Sequence, residues 1–300
     1  PIELTLIVLI KLIIENLDNR FLMGKTDYVT LKNSKPESKV IDCFTFYNEL
    51  DMLEFRLTEL DSVVDTFIIV EATTTHSGLP KELNFHKNKQ RFTKWLHKIH
   101  YYVVDNLPTG FSSSHDWLRE EYQRDAIKFA LDQLSPNPTD MIIISDLDEI
   151  PNSDIINHFK EEEIWNEGAM GLCMDWYYYN LNTRLDVPAS TNSKMLYYQK
   201  MLTMGLSPSQ IRLSNWYSVH SGGWHLTFFM SVEKIITKLE SYAHQEYNTS
   251  EIKNPDILRK LITEGKDIFP SRNESDKFFQ LPIKDLSLIH ISEPTRLRRI

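Results

Sequence analysis

The sequence has little of several features that mark particular classes of protein. Its 300 residues carry 33 lysines and arginines against 42 aspartates and glutamates, which gives a net charge of −9. It therefore lacks the basic excess of a nucleic-acid-binding protein, and no nucleic-acid partner is expected. Two cysteines, Cys43 and Cys173, are too few for a disulfide scaffold or a four-cysteine zinc site. No internal repeat is visible.

The two ends of the chain differ from the rest. The first 14 residues are apolar but interrupted by Glu3 and Lys11, and a membrane-spanning helix needs about 20 apolar residues. Residues 1–39 are interpreted as an N-terminal segment and linker, with three alternatives: a truncated anchor, a surface helix or upstream read-through. The composition changes abruptly towards the C-terminus, so residues 285–300 are predicted to be a non-native or disordered tail. Residues 40–284 form the predicted domain.

Residues 40–145 alternate between predicted strands and helices. Strands are predicted over 40–47, from 66 into the loop that ends at 78, over 98–105 and over 141–145, and helices over 50–60 and 117–134. Strands that are apolar on both faces and alternate with helices favour a parallel sheet covered on both sides. The predicted fold class is therefore α/β, with a mostly parallel central sheet flanked by helices. Ligands are expected outside the carboxyl ends of its strands.

Three acidic residues, Asp146, Asp148 and Glu149, follow the fourth predicted strand. On extended backbone the first two side chains point the same way and reach one cation. Oxygen ligands suit Mg²⁺ and Mn²⁺, which neutralise a leaving diphosphate. Nucleotide-sugar transfer and dehalogenase-type phosphate hydrolysis, with the first aspartate as nucleophile, both use such a pair. Ile150 stands where the phosphatase pattern requires threonine or valine, so the phosphatase is the weaker alternative.

Several blocks, in order along the chain, resemble glycosyltransferase family 17. They are VIDCFTFYNELDMLEFRLTEL, FIIVEATTTHSG, WLREEYQRDAI, IIISDLDEIP, YYYNLN, GGWHLTFF and KLESYAHQE. The resemblance covers roughly residues 40–269. It implies a GT-A fold, UDP-GlcNAc as the donor, Mn²⁺ (or Mg²⁺) as the metal, inversion at the anomeric carbon, and a glycan or glycoprotein acceptor.

The resemblance also assigns roles to residues of this sequence. Asp146, Asp148 and His225 are expected to hold the metal. The glycines beside His225 are expected to let the backbone approach a ligand closely. Arg119 and Gln123 lie four residues apart on one predicted helix face, where the arginine fork suits a diphosphate. The expected donor-binding residues are Asn48, Glu49, Glu71, Arg119, Gln123, Arg124, Asp146 and Lys238.

Inversion requires a base that takes the proton of the attacking hydroxyl, and Asp175 is the candidate. It lies among aromatic residues suited to stacking on a sugar, of which Trp176, Tyr178 and Trp224 are the expected acceptor-binding residues. The alternative is a surface acid beside a core aromatic cluster.

The sequence leaves further alternatives for the function. One is a glycan-binding module that has kept the aromatic residues and lost catalysis. For a bacterial or viral chain the expected location is cytoplasmic or membrane-peripheral, and for a eukaryotic chain with a truncated anchor it is the Golgi membrane. Membrane association therefore stays open.

Overall fold

The computed structural model describes residues 38–110, 113–162, 168–186, 192–269 and 277–280. The N-terminal segment up to residue 37 and the tail over 285–300 lie outside the described residues, so the interpretations of both stay predictions. None of the helices in the described part of the chain is both long and apolar enough to cross a membrane.

Four parallel strands form the half of the sheet predicted from the sequence. They are β1 (Val40–Phe46), β2 (Thr66–Ala72), β3 (Ile99–Val104) and β4 (Met141–Asp146), in the spatial order β3-β2-β1-β4. Every pairing among them is parallel. Their carboxyl ends therefore meet at one edge, where the site lies.

Helices cover both faces of these strands, as apolar residues on both faces require. Helix α1 (Leu50–Leu60) packs its leucines on one face, helped by the short α2 (Asn84–Asn88) and a 3₁₀ helix (Lys89–Trp95). The long helix α3 (Ser113–Leu134) covers the other face through Ile127 and Leu131, which pack with Ile142. The α/β fold class is confirmed.

The aromatic-rich half of the chain adds mainly antiparallel strands. These are β5 (Glu149–Pro151), β6 (Ala169–Tyr178), β7 (Thr183–Asp186), β8 (Lys194–Tyr197), β9 (Ser218–Thr227) and β10 (Lys277–Gln280). Strand β8 joins the halves because it pairs antiparallel with both β4 and β6. Strand β9 pairs parallel with β6 and antiparallel with β5. The complete sheet is therefore mixed.

Five helices accompany these strands. They are α4 (Ser153–Glu162), α5 (Tyr198–Met204), α6 (Pro208–Leu213), α7 (Val232–Ser241) and α8 (Pro255–Glu264). Ile235 and Leu239 of α7 pack with Leu258 of α8 and with Tyr178 in a separate apolar cluster. This cluster fixes α7 beside the end of β9.

The two glycines of β9 allow close approach between strands. A Cβ on Gly222 would lie 2.8 Å from Cys173 N, and one on Gly223 would lie 2.9 Å from Pro151 Cα and clash with the Ile150 carbonyl. The expectation that these glycines admit a ligand is wrong, because protein backbone fills the space on both sides. Cys43 and Cys173 are both buried free thiols.

Candidate active site

A cleft with a cavity volume of about 340 Å³ opens at the carboxyl ends of β1, β2 and β4. Helices α3 and α7 and strands β6 and β9 complete its walls. This is the edge at which ligands of such sheets bind. The sequence-predicted residues that line it are Glu49, Gln123, Arg124, Asp146, Asp148, Trp176, His225 and Lys238.

The acidic group at the end of β4 forms a turn at the base of the cleft. Residues 147 and 148 are in turn conformation, so the backbone between Asp146 and Asp148 is not extended. The expected extended backbone is therefore absent from this described turn, although both side chains line the cleft. Asp146 contacts arginines, whereas Asp148 contacts Lys238 and lies near His225.

Asp146 is held by two guanidinium groups. Arg212 Nη2 lies 2.6 Å from Asp146 Oδ2, and Arg124 Nη2 lies 3.2 Å from Oδ1. Burial by itself would raise the pKa of Asp146, but the charges of Arg212 and Arg124 outweigh it and hold the pKa well below its usual range. Arg212 also binds both carboxylate oxygens of buried Glu149, at 2.5 and 2.7 Å. Asp146 is therefore a fixed anion.

A second buried arginine fixes the backbone of the same turn. Arg56 of α1 is fully buried and binds both carboxylate oxygens of Asp42, at 2.6 and 2.8 Å. Its Nη1 donates to the carbonyl oxygens of Asp146, Leu147 and Glu149, at 2.9, 3.2 and 2.8 Å. The turn is thus held through its backbone from below, which leaves the Asp148 side chain available to the cleft.

Asp148 and His225 form the part of the cleft best suited to a cation. His225 Nε2 lies 3.7 Å from Asp148 Oδ1, and His225 Nδ1 is buried with no hydrogen-bond partner among the described residues. The imidazole stacks on Trp176 at a centroid distance of 4.7 Å and an interplanar angle of 9°. Nε2 of a ring held this firmly, beside a carboxylate, suits a divalent metal.

The third expected metal ligand, Asp146, lines the same cleft. In the described ranges, no three His, Cys, Asp or Glu side chains converge as a metal-binding group. Both oxygens of Asp146 contact arginines. The residues present therefore fit a metal held by Asp148 and His225, with further ligands from substrate and water.

Lys238 is the cation nearest to Asp148. Its Nζ lies 3.4 Å from Asp148 Oδ2 and 3.6 Å from Glu49 Oε1. Burial would lower the pKa of Lys238, but the two carboxylates raise it above its ordinary value, so the ammonium stays charged. Asn48, predicted beside Glu49, does not line the cleft; its backbone N–H donates to Glu49 Oε2 at 3.1 Å.

Glu71 and Arg119, both predicted to bind the donor, have structural roles instead. The carboxylate of Glu71 is buried and accepts hydrogen bonds from Lys81, Tyr101 and the first backbone N–H groups of α2. Arg119 is buried too, and it donates to the carbonyl oxygens of His76, Pro108 and Gly110. Neither side chain lines the cleft.

The predicted site residues of β6 and β9 lie on two different faces of the sheet, because successive side chains of a strand point to opposite faces. Trp176 and His225 line the cleft, so Asp175 and Trp224, which lie opposite each other in the two strands, face away. Asp175 is instead paired with Arg184 at 2.6 Å. The prediction that Asp175 is the base is therefore wrong.

One of the three predicted acceptor-binding residues lines the cleft. Trp176 lines the cleft, but Trp224 is excluded by its parity. Tyr178 is also excluded, because it is buried against Phe228 and Phe278 in the apolar cluster below the cleft. It supports Trp176, whose ring lies 5.7 Å away, and cannot reach a ligand.

The structure adds residues that sequence reasoning missed. His76, Lys81, Trp117 and Glu120 line the cleft, and Arg212 anchors it from behind. The polar loop after the second strand was a signal for His76. For Arg212 the sequence held no signal, because its helix lies 66 residues after Asp146.

Comparison with known proteins gives the following similarities. The family model described as glycosyltransferase family 17 matches residues 18–295. Over 261 residues, 76% of the chain, it is 25% identical to the human β-1,4-mannosyl-glycoprotein 4-β-N-acetylglucosaminyltransferase and 24% identical to the rat protein of that name. The match covers 48% of each relative, so the chain spans about half their length.

Similarity to solved structures is weak. A mannosyltransferase from Pyrobaculum calidifontis, in complex with GDP-Man and Mn²⁺, aligns with a TM-score of 0.36 at 10% identity, over 73% of this chain and 63% of that one. A 4-diphosphocytidyl-2C-methyl-D-erythritol synthase from Anaerococcus prevotii aligns with a TM-score of 0.36 at 13% identity, over 67% of this chain and 97% of that one.

Proposed function

The chain belongs to glycosyltransferase family 17, and we propose that it transfers N-acetylglucosamine from UDP-GlcNAc to a hydroxyl group of a glycan, with inversion. The observation that carries the proposal is the acidic turn at the end of β4, which lies at the base of a cleft beside His225 and Lys238. Family membership supports glycosyl transfer over phosphate hydrolysis and over a binding module without activity. The activity for which these relatives are named supports N-acetylglucosamine as the transferred sugar.

The first part of the proposal concerns the metal. Asp148 and His225 would hold a divalent cation, Mn²⁺ before Mg²⁺, because a borderline-soft metal accepts the imidazole more readily. The ion would neutralise charge on the leaving diphosphate. Asp146 stays with its two arginines and orients the turn.

The second part concerns the donor. Lys238 and Arg124 are the charged groups placed to face a diphosphate, because both line the cleft next to the acidic turn. Polar residues at the end of β1 and in the loop after β2, such as Thr45 and Thr75, line the cleft and are assigned to the nucleoside. Gln123 lines the same wall, fixed by hydrogen bonds to Val70 O and His76.

The third part concerns the acceptor. Trp176 lines one wall of the cleft, and Trp117 of α3, 40% exposed, lines another and packs edge-on against His244 at 4.5 Å. Aromatic faces with an exposed edge suit the apolar faces of sugar rings. We therefore assign the acceptor glycan to the space between these two walls.

The test is thermal unfolding with UDP-GlcNAc, with and without Mn²⁺. A ligand at 100 times its Kd adds about 2.7 kcal/mol of stability, which for a domain of this size raises Tm by roughly 5–10 °C. Asp148→Asn and His225→Gln should lose the Mn²⁺-dependent part of the shift. Asp175→Asn, on the other face of β6, should keep it.

Turnover completes the test, as UDP release in the presence of a glycan acceptor. If no nucleotide sugar raises Tm with either metal, the proposed function is wrong. If UDP-GlcNAc raises Tm equally with and without metal, the metal assignment alone is wrong.

A further inference from the structure

The protonation of His76 is determined by a chain of hydrogen bonds that starts at a backbone carbonyl. Gln123 Nε2 donates to the buried carbonyl oxygen of Val70 at 2.9 Å, which fixes the orientation of the amide. Gln123 Oε1 then lies 2.9 Å from His76 Nε2. Because an amide oxygen only accepts, Nε2 must carry the proton, and Nδ1 of the neutral ring is left as an acceptor.

A second acceptor, a carboxylate oxygen of Glu120, lies near His76 Nδ1 in the wall of the cleft. Glu120 Oε2 lies 3.9 Å from His76 Nδ1, which is too far for a hydrogen bond. The other oxygen, Glu120 Oε1, accepts from Arg124 Nη2 at 2.8 Å. Neither Oε2 nor Nδ1 receives a hydrogen bond from any residue that the structure describes, and both residues line the cleft.

Both groups are held in place, and the ring is kept neutral. The carbonyl oxygen of His76 accepts from Arg119 Nη1 at 2.6 Å. Burial lowers the pKa of His76 and Arg124 lowers it further, while the carboxylates of Glu120 and Asp146 act in the opposite direction. The net lowering favours the neutral imidazole. The His76 and Glu120 side chains are 21% and 23% exposed, so a ligand that displaces water from them must supply two hydrogen-bond donors.

We propose that His76 Nδ1 and Glu120 Oε2 together bind two hydroxyl groups on adjacent carbons of a sugar. The inference rests on the proposed function, because the cleft then receives a nucleotide sugar. Two parts of that substrate carry such a diol, the ribose of the nucleotide and the transferred hexose. The chemistry is the same for both, and the experiment separates them.

The probes are UDP, 2′,3′-dideoxy-UDP and UDP-GlcNAc, titrated calorimetrically with Mn²⁺ against the full chain and its variants. His76→Gln keeps a donor for Gln123 and removes the Nδ1 acceptor. Glu120→Gln is a second variant, which turns one acceptor into a donor. His76→Gln should weaken the diol-bearing ligand about 2- to 10-fold, the range of one neutral hydrogen bond, and Glu120→Gln about 10- to 150-fold, the range of a hydrogen bond to a charged group.

The pattern across the probes identifies the diol. If it is the ribose, the wild type prefers UDP over the dideoxy analogue and His76→Gln loses that preference. If it is the hexose, His76→Gln weakens UDP-GlcNAc and leaves UDP unchanged. The matched control is His100→Gln, since His100 Nε2 contacts Gln133 Oε1 at 3.1 Å on exposed β3 and lines no part of the cleft.

Two results overturn the inference, and they differ. If the wild type binds UDP-GlcNAc and neither His76→Gln nor Glu120→Gln weakens the binding of any probe, the diol site alone is refuted. A wild type that binds none of the three probes refutes the proposed function, and the diol site with it.

Discussion

Replacing Arg212 with methionine tests whether buried charge pairing holds the acidic turn. Arg212 contacts the Glu149 carboxylate at 2.5 and 2.7 Å and Asp146 at 2.6 Å. The Glu149 side chain is 1% exposed, so water cannot replace the lost partner. Besides Arg212, the backbone N–H of Asp146 donates to Glu149 Oε2 at 3.0 Å, and the charge of Lys194 interacts with the carboxylate. Arg212→Met therefore removes the bidentate partner of a buried carboxylate and leaves it only partly compensated.

The expected cost follows from that burial. Removing one partner of a buried ion pair destabilises a protein by about 3–5 kcal/mol. With an m-value of about 2 kcal/mol per molar urea, the unfolding midpoint should fall by roughly 2 M. The m-value itself should not change, because the fold and the surface exposed on unfolding stay the same.

Arg184→Met is the matched control. Arg184 contacts Asp175 at the same distance, 2.6 Å, but the two side chains are 42% and 38% exposed. Exposed pairs contribute about 0–1 kcal/mol, so the urea midpoint should fall by at most about 0.5 M. Equal midpoints for the two variants would refute the reasoning, because burial would then not decide the cost.

Two further predictions concern backbone packing and a buried phenol. Gly223→Ala should lower the free energy of unfolding in urea by about 1–3 kcal/mol more than Gly205→Ala does. Both glycines have positive φ, but of the two only a Cβ at position 223 meets backbone, 2.9 Å from Pro151 Cα. Equal losses for the two variants would contradict the close approach of the strands. Burial, with the charge of Asp175, raises the pKa of Tyr177 to about 12, so the folded state keeps a proton that the unfolded state loses above pH 10. Stability should therefore fall by about 2 kcal/mol more between pH 10 and pH 12 in the wild type than in Tyr177→Phe, and parallel pH profiles would contradict the shift.

The parallel half of the fold could be predicted because its signals are local. Each strand is a largely apolar run of six or seven residues, and helix α1 repeats its leucines with helical spacing. The antiparallel half could not be predicted in this way. Its strands β6 and β9 pair across a shift in register near Leu172, and no sequence pattern reveals such a shift.

The site shows the same division. The acidic turn was found because it directly follows an apolar strand, whereas the role of Asp175 failed because parity decides which face a strand residue occupies. Glu71 and Arg119 were assigned through the family resemblance, but their polar atoms contact backbone groups of the protein. Arg56 did carry a signal: an arginine stands among the apolar residues of α1, and an aspartate stands in the apolar strand β1.

The two arginines that hold the acidic turn reach it at different times during synthesis. Arg56 precedes the turn in the chain, whereas Arg212 follows Asp146 by 66 residues. At about 5–20 residues per second, a ribosome needs about 3–13 s to make that stretch. We therefore expect the backbone of the turn to be clamped before Arg212 is made, so that for several seconds the nascent chain carries a formed turn whose Glu149 carboxylate still has access to water.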